Sequence, residues 1–73
     1  MTPTAADALT ESIADQLVLV IERIQTAIDA GETNTVYPNL FAANVTEIEA
    51  AGYVVTDETI DTVIYYTIDW SAT

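Results

Sequence analysis

The stretch Thr62–Trp70, which reads TVIYYTIDW, decides the fold of this chain because two sets of side chains alternate along it. Successive side chains of a β-strand point to opposite faces of a sheet, so this period of two predicts a strand. We expect the more apolar face to be core: Ile64, Tyr66, Ile68 and Trp70. The other face is semi-polar and is expected to contact solvent or a partner: Val63, Tyr65, Thr67 and Asp69.

Two shorter segments predict the remaining strands of a sheet. Tyr53–Thr56 reads as a strand, and the polar run Asp57–Asp61 predicts the turn that joins it to Thr62–Trp70 in an antiparallel hairpin. Thr33–Tyr37 is a third strand candidate, which should end at Pro38 because proline cannot donate a hydrogen bond to a ladder. The pattern leaves the position of this third candidate within the sheet open.

The N-terminal part of the chain predicts one long amphipathic helix that ends just before Gly31, the expected residue after a helix end. Thr4 followed by Asp7 resembles a capping box at its start, and Thr2 before Pro3 is an alternative cap. The core-facing stripe of this helix recurs at steps of three or four residues: Leu9, Ile13, Leu17, Val20, Ile24 and Ala27.

A second, shorter helix is predicted between the first two strands. Asn39 can cap it, with Asn44 as a later alternative, and Gly52 ends it. Its buried residues should be Val45, Ile48 and Ala51. The order α-β-α-β-β therefore predicts a two-layer α+β fold with both helices on one face of a three-stranded, mainly antiparallel sheet. We expect residues 1–3 to be a flexible N-terminus and residues 4–73 to form one small α+β domain.

Charge is the most unusual property of the composition. The chain holds twelve acidic side chains and one basic side chain, that of Arg23, for a net charge of -11 on 73 residues. A hydrophobic fraction of 51% is too high for a disordered acidic tail. Self-repulsion destabilises such a compact state, and salt screens it, because the Debye length falls from ~8 Å at about 0.15 M to ~3 Å at about 1 M. We therefore expect stability to rise with salt.

The same composition excludes most catalytic chemistry. There is no Cys, His or Lys, and neither Ser12 nor Ser71 has a base beside it, so nucleophilic catalysis is not expected. Zinc lacks its usual ligands. Asp57, Glu58 and Asp61 cluster in sequence but do not match the spacing of an EF-hand loop. We expect no enzymatic activity, no metal and no cofactor.

Two classes of partner are excluded on the same grounds. One arginine cannot neutralise a phosphate backbone, so no nucleic acid is expected as a partner. Anionic membranes should repel the chain. The longest aliphatic run, Leu17–Ile21, is also far shorter than the ~20 residues that span a bilayer.

The first helix should present an acidic row on the side opposite its core stripe. At ~100° per residue the row lies within an arc of about 80° and is about 33 Å long. Like charges four residues apart repel, which destabilises the helix unless salt or a partner screens them. The row is either a solvated face, a binding site for a basic surface, or an adaptation to a high-salt, halophilic cell interior. Its members are Asp7, Glu11, Asp15, Glu22 and Asp29.

Several apolar residues lie outside the core stripe of the first helix. Val18, Leu19 and Ile21 extend the apolar surface beyond that stripe, and Val18 falls inside the acidic row. They are either scattered surface aliphatics, which are common, or a second packing surface for self-association or docking. Tyr65 on the outer strand face is a further contact candidate, since tyrosine is favoured in interfaces.

Three stretches carry a resemblance: Thr35–Leu40 (TVYPNL), Val45–Val55 (VTEIEAAGYVV) and Tyr66–Trp70 (YTIDW). This pattern resembles small tailed-phage proteins in which a PNL turn opens a short helix that ends in GY.V, and YTI.W closes the chain. The resemblance covers about the last forty residues and leaves the acidic helix outside it. It implies an accessory virion component and no catalytic residues.

We therefore expect a capsid decoration, head-tail or tail subunit, located in the virion, that docks on a larger virion structural protein, on copies of itself, or on both. The alternative is an acidic, DNA-mimic-type inhibitor of a nucleic-acid-binding host protein, located in the cytoplasm of the host cell. A third hypothesis is a plain halophilic interaction domain. The candidate interaction residues are Asp7, Glu11, Asp15, Val18, Leu19, Glu22, Asp29 and Tyr65.

Overall fold

Five elements follow one another in the predicted order α-β-α-β-β. The computed structural model describes Thr2 and residues 4–71. The three strands form one antiparallel sheet in the order β1-β3-β2, which confirms the predicted α+β fold and places the Thr62–Trp70 strand at its centre. The elements are α1 (Ala5–Asp29), β1 (Asn34–Pro38), α2 (Ala42–Ala50), β2 (Val54–Ile60) and β3 (Val63–Asp69).

The described residues leave out parts of the expected flexible N-terminus and of the expected domain. Met1 and Pro3 belong to the expected flexible N-terminus and lie outside the described residues. The same holds for Ala72 and Thr73, at the end of the expected domain. Thr2 is described, but the alternative cap that it offered is wrong, because α1 begins at Ala5.

The two ends of α1 are built as the sequence predicts. Thr4 is the N-cap, and its hydroxyl accepts a hydrogen bond from the Asp7 N–H at 3.2 Å. At the other end Gly31 has φ 78°, and its N–H donates to the Ile28 carbonyl at 3.0 Å. The N–H of Glu32 reaches back to the α1 carbonyl of residue 27 at 2.9 Å, which completes a Schellman motif.

Both predicted N-caps of α2 are wrong, whereas the predicted end at Gly52 is confirmed, since Gly52 follows the C-cap and has φ 101°. Phe41 is the N-cap and makes no side-chain capping bond. Asn39 instead has φ 54° and continues the ladder, donating its N–H to the Ile64 carbonyl at 2.8 Å. Asn44 lies inside the helix and is 1% exposed. Neither asparagine can accept a hydrogen bond from a backbone N–H of the first turn of α2. Asn39 still pairs with the sheet, and the side chain of Asn44 points into the core.

Gln16 of α1 takes over part of the capping role. Its side-chain oxygen accepts from the Phe41 N–H at 2.9 Å, and its amide nitrogen donates to the Asn39 carbonyl at 2.9 Å. The Asn44 amide nitrogen donates to the same Gln16 oxygen and to the Ile13 carbonyl, both at 2.9 Å. This network joins the start of α2 to the middle of α1 through residues more than twenty positions apart.

The hairpin between β2 and β3 is tighter than predicted. Asp57–Asp61 is not a turn: β2 continues through Ile60, and only Asp61 and Thr62 connect it to β3, with φ of 49° and 68°. Positive φ at both central residues is what a type I′ two-residue turn requires. The polar residues of β2 are accepted in a strand because the strand forms an exposed edge of the sheet.

The core lies where the two helices meet one face of the sheet. It is a cluster of five buried residues: Val20, Ile24, Leu40, Ile48 and Ile68. Leu17, Val45, Tyr66 and Trp70 pack against this cluster while partly exposed, so the predicted core faces of α2 and β3 are largely confirmed. Ile64 and Ala51 are exposed, and these two predictions are wrong. Both residues lie at an end of their element, where no neighbouring element packs over them: Ile64 is at the hairpin end of β3 and Ala51 is the C-cap of α2.

The core stripe of α1 is buried only over its second half. Val20, Ile24 and Ala27 are buried and Ile13 is half-buried, whereas Leu9 is exposed, against the prediction. A helix of 25 residues is about 37 Å long, but a strand of seven residues spans only about 24 Å. The first turns of α1 therefore extend beyond the sheet, and the molecule is 44 Å in its longest dimension.

Candidate interaction surface

The face of the sheet that points away from the helices is the first candidate surface, and we call it the open sheet face. Directly paired residues of an antiparallel sheet point to the same side. Tyr65 pairs with Pro38 and with Glu58, so all three lie on the side opposite Ile68, in the middle of the open sheet face. The apolar residues of the open sheet face are Val36, Val54, Ile60, Val63 and Tyr65.

Much of this apolar surface is accessible. Val36, Val54 and Ile60 are 42%, 53% and 47% exposed, while Val63 and Tyr65 are half-buried. No helix among residues 4–71 covers them, because α1 and α2 both contribute their buried residues to the cluster around Ile68 on the other face. The predicted outer position of Tyr65 is therefore confirmed. The apolar residues that β1 and β2 contribute to the open sheet face were not predicted from the sequence.

The open sheet face carries little charge for so acidic a chain. Its strand residues include the carboxylates of Glu58 and Asp69. Asp69 accepts two hydrogen bonds from Ser71, one from the hydroxyl at 2.6 Å and one from the N–H at 2.7 Å, so a carboxylate does lie beside this serine, against the prediction. Both hydrogen bonds stabilise the charged carboxylate and lower the pKa of Asp69, and the bond from the Ser71 hydroxyl has the larger effect. The charge of Asp69 is therefore held at the end of β3.

The acidic row lies on the opposite side of the molecule. All five of its residues are exposed, and they face away from the buried side of α1 that Val20 and Ile24 define. Asp29 accepts a hydrogen bond from the Gln25 amide at 3.0 Å. The chain thus has a helical side that carries the acidic row together with exposed aliphatic residues, and a sheet side that is apolar with few carboxylates.

The predicted interaction residues are divided between these two sides. Val18, Leu19 and Ile21 are exposed, at 56%, 53% and 55%, but they lie on α1 and not beside Tyr65. Val18 is surrounded by the acidic row, and Leu19 borders a shallow hollow with Arg23 and Tyr37. The structure therefore does not join these aliphatic residues and Tyr65 into one surface.

A groove between α1 and α2 is a second apolar feature. It has a volume of about 260 Å³, and Ile21 and Ile28 on one side face Ala51 and Tyr53 on the other. Glu47 also lines it. Ile28 was not predicted as part of an apolar surface, although its spacing of seven residues from Ile21 is a signal for a second apolar stripe.

The single basic side chain lies at the β1 edge of the sheet. The Arg23 guanidinium donates to the Val36 carbonyl at 3.2 Å and lies 5.5 Å from the centre of the Tyr37 ring. This cation–π geometry and the hydrogen bond hold α1 against the edge strand. The charge of Arg23 is thus directed at the sheet and not along the acidic row.

The described residues include no group of three or more Asp, Glu, His or Cys side chains that could hold a metal ion. Asp57 and Glu58 are consecutive strand residues, so their carboxylates point to opposite faces of the sheet. Over the part of the chain that the structure describes, no helix is long and apolar enough to cross a membrane.

Comparisons with known proteins add no assignment. No protein-family model matches the chain, and no match is found among curated proteins or solved structures. The resemblance to small tailed-phage proteins therefore stays a prediction that depends on the quoted residues.

Proposed function

We propose that this chain is a small acidic docking subunit, an accessory component of a virus particle such as a capsid decoration, head-tail or tail subunit. One observation carries the proposal: the open sheet face is an uncovered, largely apolar surface with few carboxylates, and the acidic row lies on the opposite side of the molecule. The open sheet face offers Val36, Ile60 and Tyr65, whereas the acidic row covers the far side of α1. A subunit with two such sides has a defined orientation on its partner.

The apolar side is suited to binding a larger structural protein. An exposed apolar patch with a polar rim is typical of protein interaction sites, and tyrosine is enriched at their centres. Tyr65 lies in the middle strand, between Pro38 and Glu58, so a partner surface that covers the sheet would bury it. Copies of this chain, each with a net charge of -11, repel one another, and we expect the open sheet face, which carries few carboxylates, to contribute little to that repulsion.

The acidic side would then face outward. A dense negative surface keeps particles dispersed and repels nucleic acid, which benefits a particle that carries many copies. In a high-salt host the same carboxylates would be screened, so the halophilic hypothesis is compatible with this role. The resemblance over the last forty residues supports the virion setting, and those residues include β1, α2, β2 and β3.

The proposal is tested by measuring whether the chain is a component of purified virus particles. Particles of the virus that encodes it are purified by density gradient, and quantitative mass spectrometry measures the chain relative to the major capsid and tail proteins. We expect a fixed stoichiometry in intact particles and little free chain in the host lysate. A chain that is absent from particles and present only in the host cytoplasm would contradict the virion assignment.

A second candidate function has its own supporting observation. Asp7 and Glu11 lie on the part of α1 that extends beyond the sheet, where a basic surface could approach the helix from several sides. We therefore keep the alternative of a DNA-mimic-type inhibitor, in which carboxylates stand in for phosphates. Under this alternative the chain would bind a nucleic-acid-binding host enzyme and lose affinity when Asp7, Glu11 and Asp15 are changed to their amides.

A further inference from the structure

We propose that the free edge of β2 accepts an extended, cationic segment of a partner protein as a fourth strand of the sheet. This binding mode goes beyond docking on the open sheet face and does not depend on the virion setting. It follows from three features of the sheet: the direction of the backbone groups, the difference between its two edges and the charge of β2.

The direction of the backbone groups follows from the ladder between β1 and β3. The Asn39 N–H donates to the Ile64 carbonyl at 2.8 Å, and the Trp70 N–H donates to the Thr33 carbonyl at 3.0 Å. The backbone N–H and C=O groups of even-numbered residues in β3 therefore point towards β1, and those of odd-numbered residues point towards β2. In the register of β2 with β3, Val55 pairs with an even-numbered residue, Ile68. Its N–H and C=O consequently point away from the sheet.

The same alternation applies along β2. Asp57 and Thr59 pair with even-numbered residues of β3, as Val55 does, so their backbone groups also point outward. The register runs from Val54 to Ile60 in single steps with no bulge. Residues 56–60 are exposed along the whole run. This edge is regular, accessible and long enough to pair with another strand.

The β1 edge, by contrast, is partly blocked for such pairing. Its outward-pointing backbone groups belong to Asn34, Val36 and Pro38. Pro38 has no N–H to donate, and the Val36 carbonyl already accepts from Arg23 at 3.2 Å. Proline and a basic side chain are common means of protecting an edge strand, and β2 has neither.

The charge of β2 decides which occupant fits. Asp57 and Glu58 project to opposite faces, so a neighbouring strand would meet a carboxylate on either side. Two copies paired antiparallel about Asp57 would set Asp57 against its own equivalent, and pairing about Glu58 would do the same for Glu58. Like charges directly opposite destabilise a sheet, and opposite charges stabilise it. The edge therefore disfavours a second copy and favours a strand that carries Lys or Arg.

The test uses a labelled seven-residue peptide of alternating lysine and valine, with an alternating glutamate and valine peptide as control. Binding is measured by fluorescence anisotropy, and hydrogen exchange of the protein amides is followed by NMR. We expect the cationic peptide to bind and the anionic control peptide not to bind. Binding should slow hydrogen exchange at the backbone amides of Val55, Asp57 and Thr59. The substitution Thr59→Pro removes one outward N–H without removing a bond to β3, and should weaken binding roughly tenfold.

A matched pair of charge variants separates the edge from general electrostatic attraction. Asp57→Asn with Glu58→Gln should weaken binding severalfold, whereas Glu11→Gln with Asp15→Asn, which removes the same charge from α1, should leave it nearly unchanged. Equal losses in the two double variants, or exchange protection elsewhere than at β2, would overturn the proposal. If Thr59→Pro impairs folding, the exchange pattern and the charge variants still decide the result.

Discussion

Arg23 and Val36 are joined across the edge of the sheet: the guanidinium of the one basic side chain donates to the Val36 carbonyl at 3.2 Å. The same group lies 5.5 Å from the centre of the Tyr37 ring. A chain with twelve acidic side chains thus uses its basic residue to hold α1 on β1 and to protect that edge. The other edge and the open sheet face remain available to partners.

This relationship predicts a stability loss when Arg23 is changed to Met. Methionine keeps the apolar stem but removes the hydrogen bond and the cation–π contact, which together should lower the free energy of unfolding by about 1 kcal/mol. Urea denaturation in about 1 M salt measures this, because screening there limits the effect of the added net charge. An Arg23→Met variant as stable as the wild type would show that the contact contributes nothing.

The bond between Gln16 and Asn44 predicts a larger effect in the core. Asn44→Ala removes two hydrogen bonds and leaves the Gln16 oxygen with one donor in a part-buried position. We expect the free energy of unfolding to fall by about 1–2 kcal/mol, because alanine also removes the buried Asn44 Oδ1, which has no hydrogen-bond partner, and this offsets part of the loss. Asn34→Ala, at an exposed position of β1, is the matched control and should change stability by less than about 0.5 kcal/mol. Similar losses for both would contradict a structural role for Asn44.

Local signals in the sequence were sufficient for much of this fold. Both ends of α1 were predicted because Thr4 and Gly31 act through bonds to residues within a few positions along the chain. The strand Thr62–Trp70 was predicted because alternation is a property of the strand itself. Leu9 was misassigned, since a periodic pattern does not reveal how far the sheet extends beneath the helix.

The errors arose where distant residues decide the structure. Asn39 looked like a cap, but the start of α2 is held by Gln16 on another helix. Asp57–Asp61 looked like a turn, because the sequence does not indicate that β2 is an exposed edge where polar residues are accepted. For the site, Tyr65 was placed on the correct face, whereas its separation from Val18 depends on the tertiary packing.

The hairpin turn predicts a stabilising substitution. Thr62 is β-branched and has φ 68°, a conformation in which such side chains are strained. Thr62→Gly relieves this strain and creates an Asp-Gly turn, so despite the extra flexibility of glycine we expect a gain of about 1 kcal/mol. Thermal denaturation of both proteins checks this, with Thr59→Gly in the adjacent strand as a control that should destabilise. A loss of stability in Thr62→Gly would mean that the turn is unstrained.

The contact between Asp69 and Ser71 predicts a pH-dependent effect. The hydrogen bonds from Ser71 hold the pKa of Asp69 below its ordinary value of 3.8. Because the folded state lowers this pKa, the stabilisation is present above about pH 4 and is lost as the pH falls through the folded value. Ser71→Ala removes the largest cause, so the pKa should rise.

Titration of the Asp69 carboxyl carbon by NMR measures this shift directly. Ser12→Ala, which removes an exposed hydroxyl from α1, is the control and should leave the midpoint unchanged. Identical midpoints in the wild type and in Ser71→Ala would contradict the assigned cause.

The most direct test of the central claim, that the chain docks through its open sheet face with its acidic row outward, is retention on purified particles. Three variants are compared with the wild type by quantitative mass spectrometry, after circular dichroism has confirmed that each is folded: Tyr65→Lys, Leu19→Lys, and the triple change Asp7→Asn, Glu11→Gln and Asp15→Asn. We predict that Tyr65→Lys lowers retention at least roughly tenfold, as expected for a central interface residue, and that the other two remain bound. Loss of the triple variant with retention of Tyr65→Lys would contradict the claim and make the acidic row the binding surface.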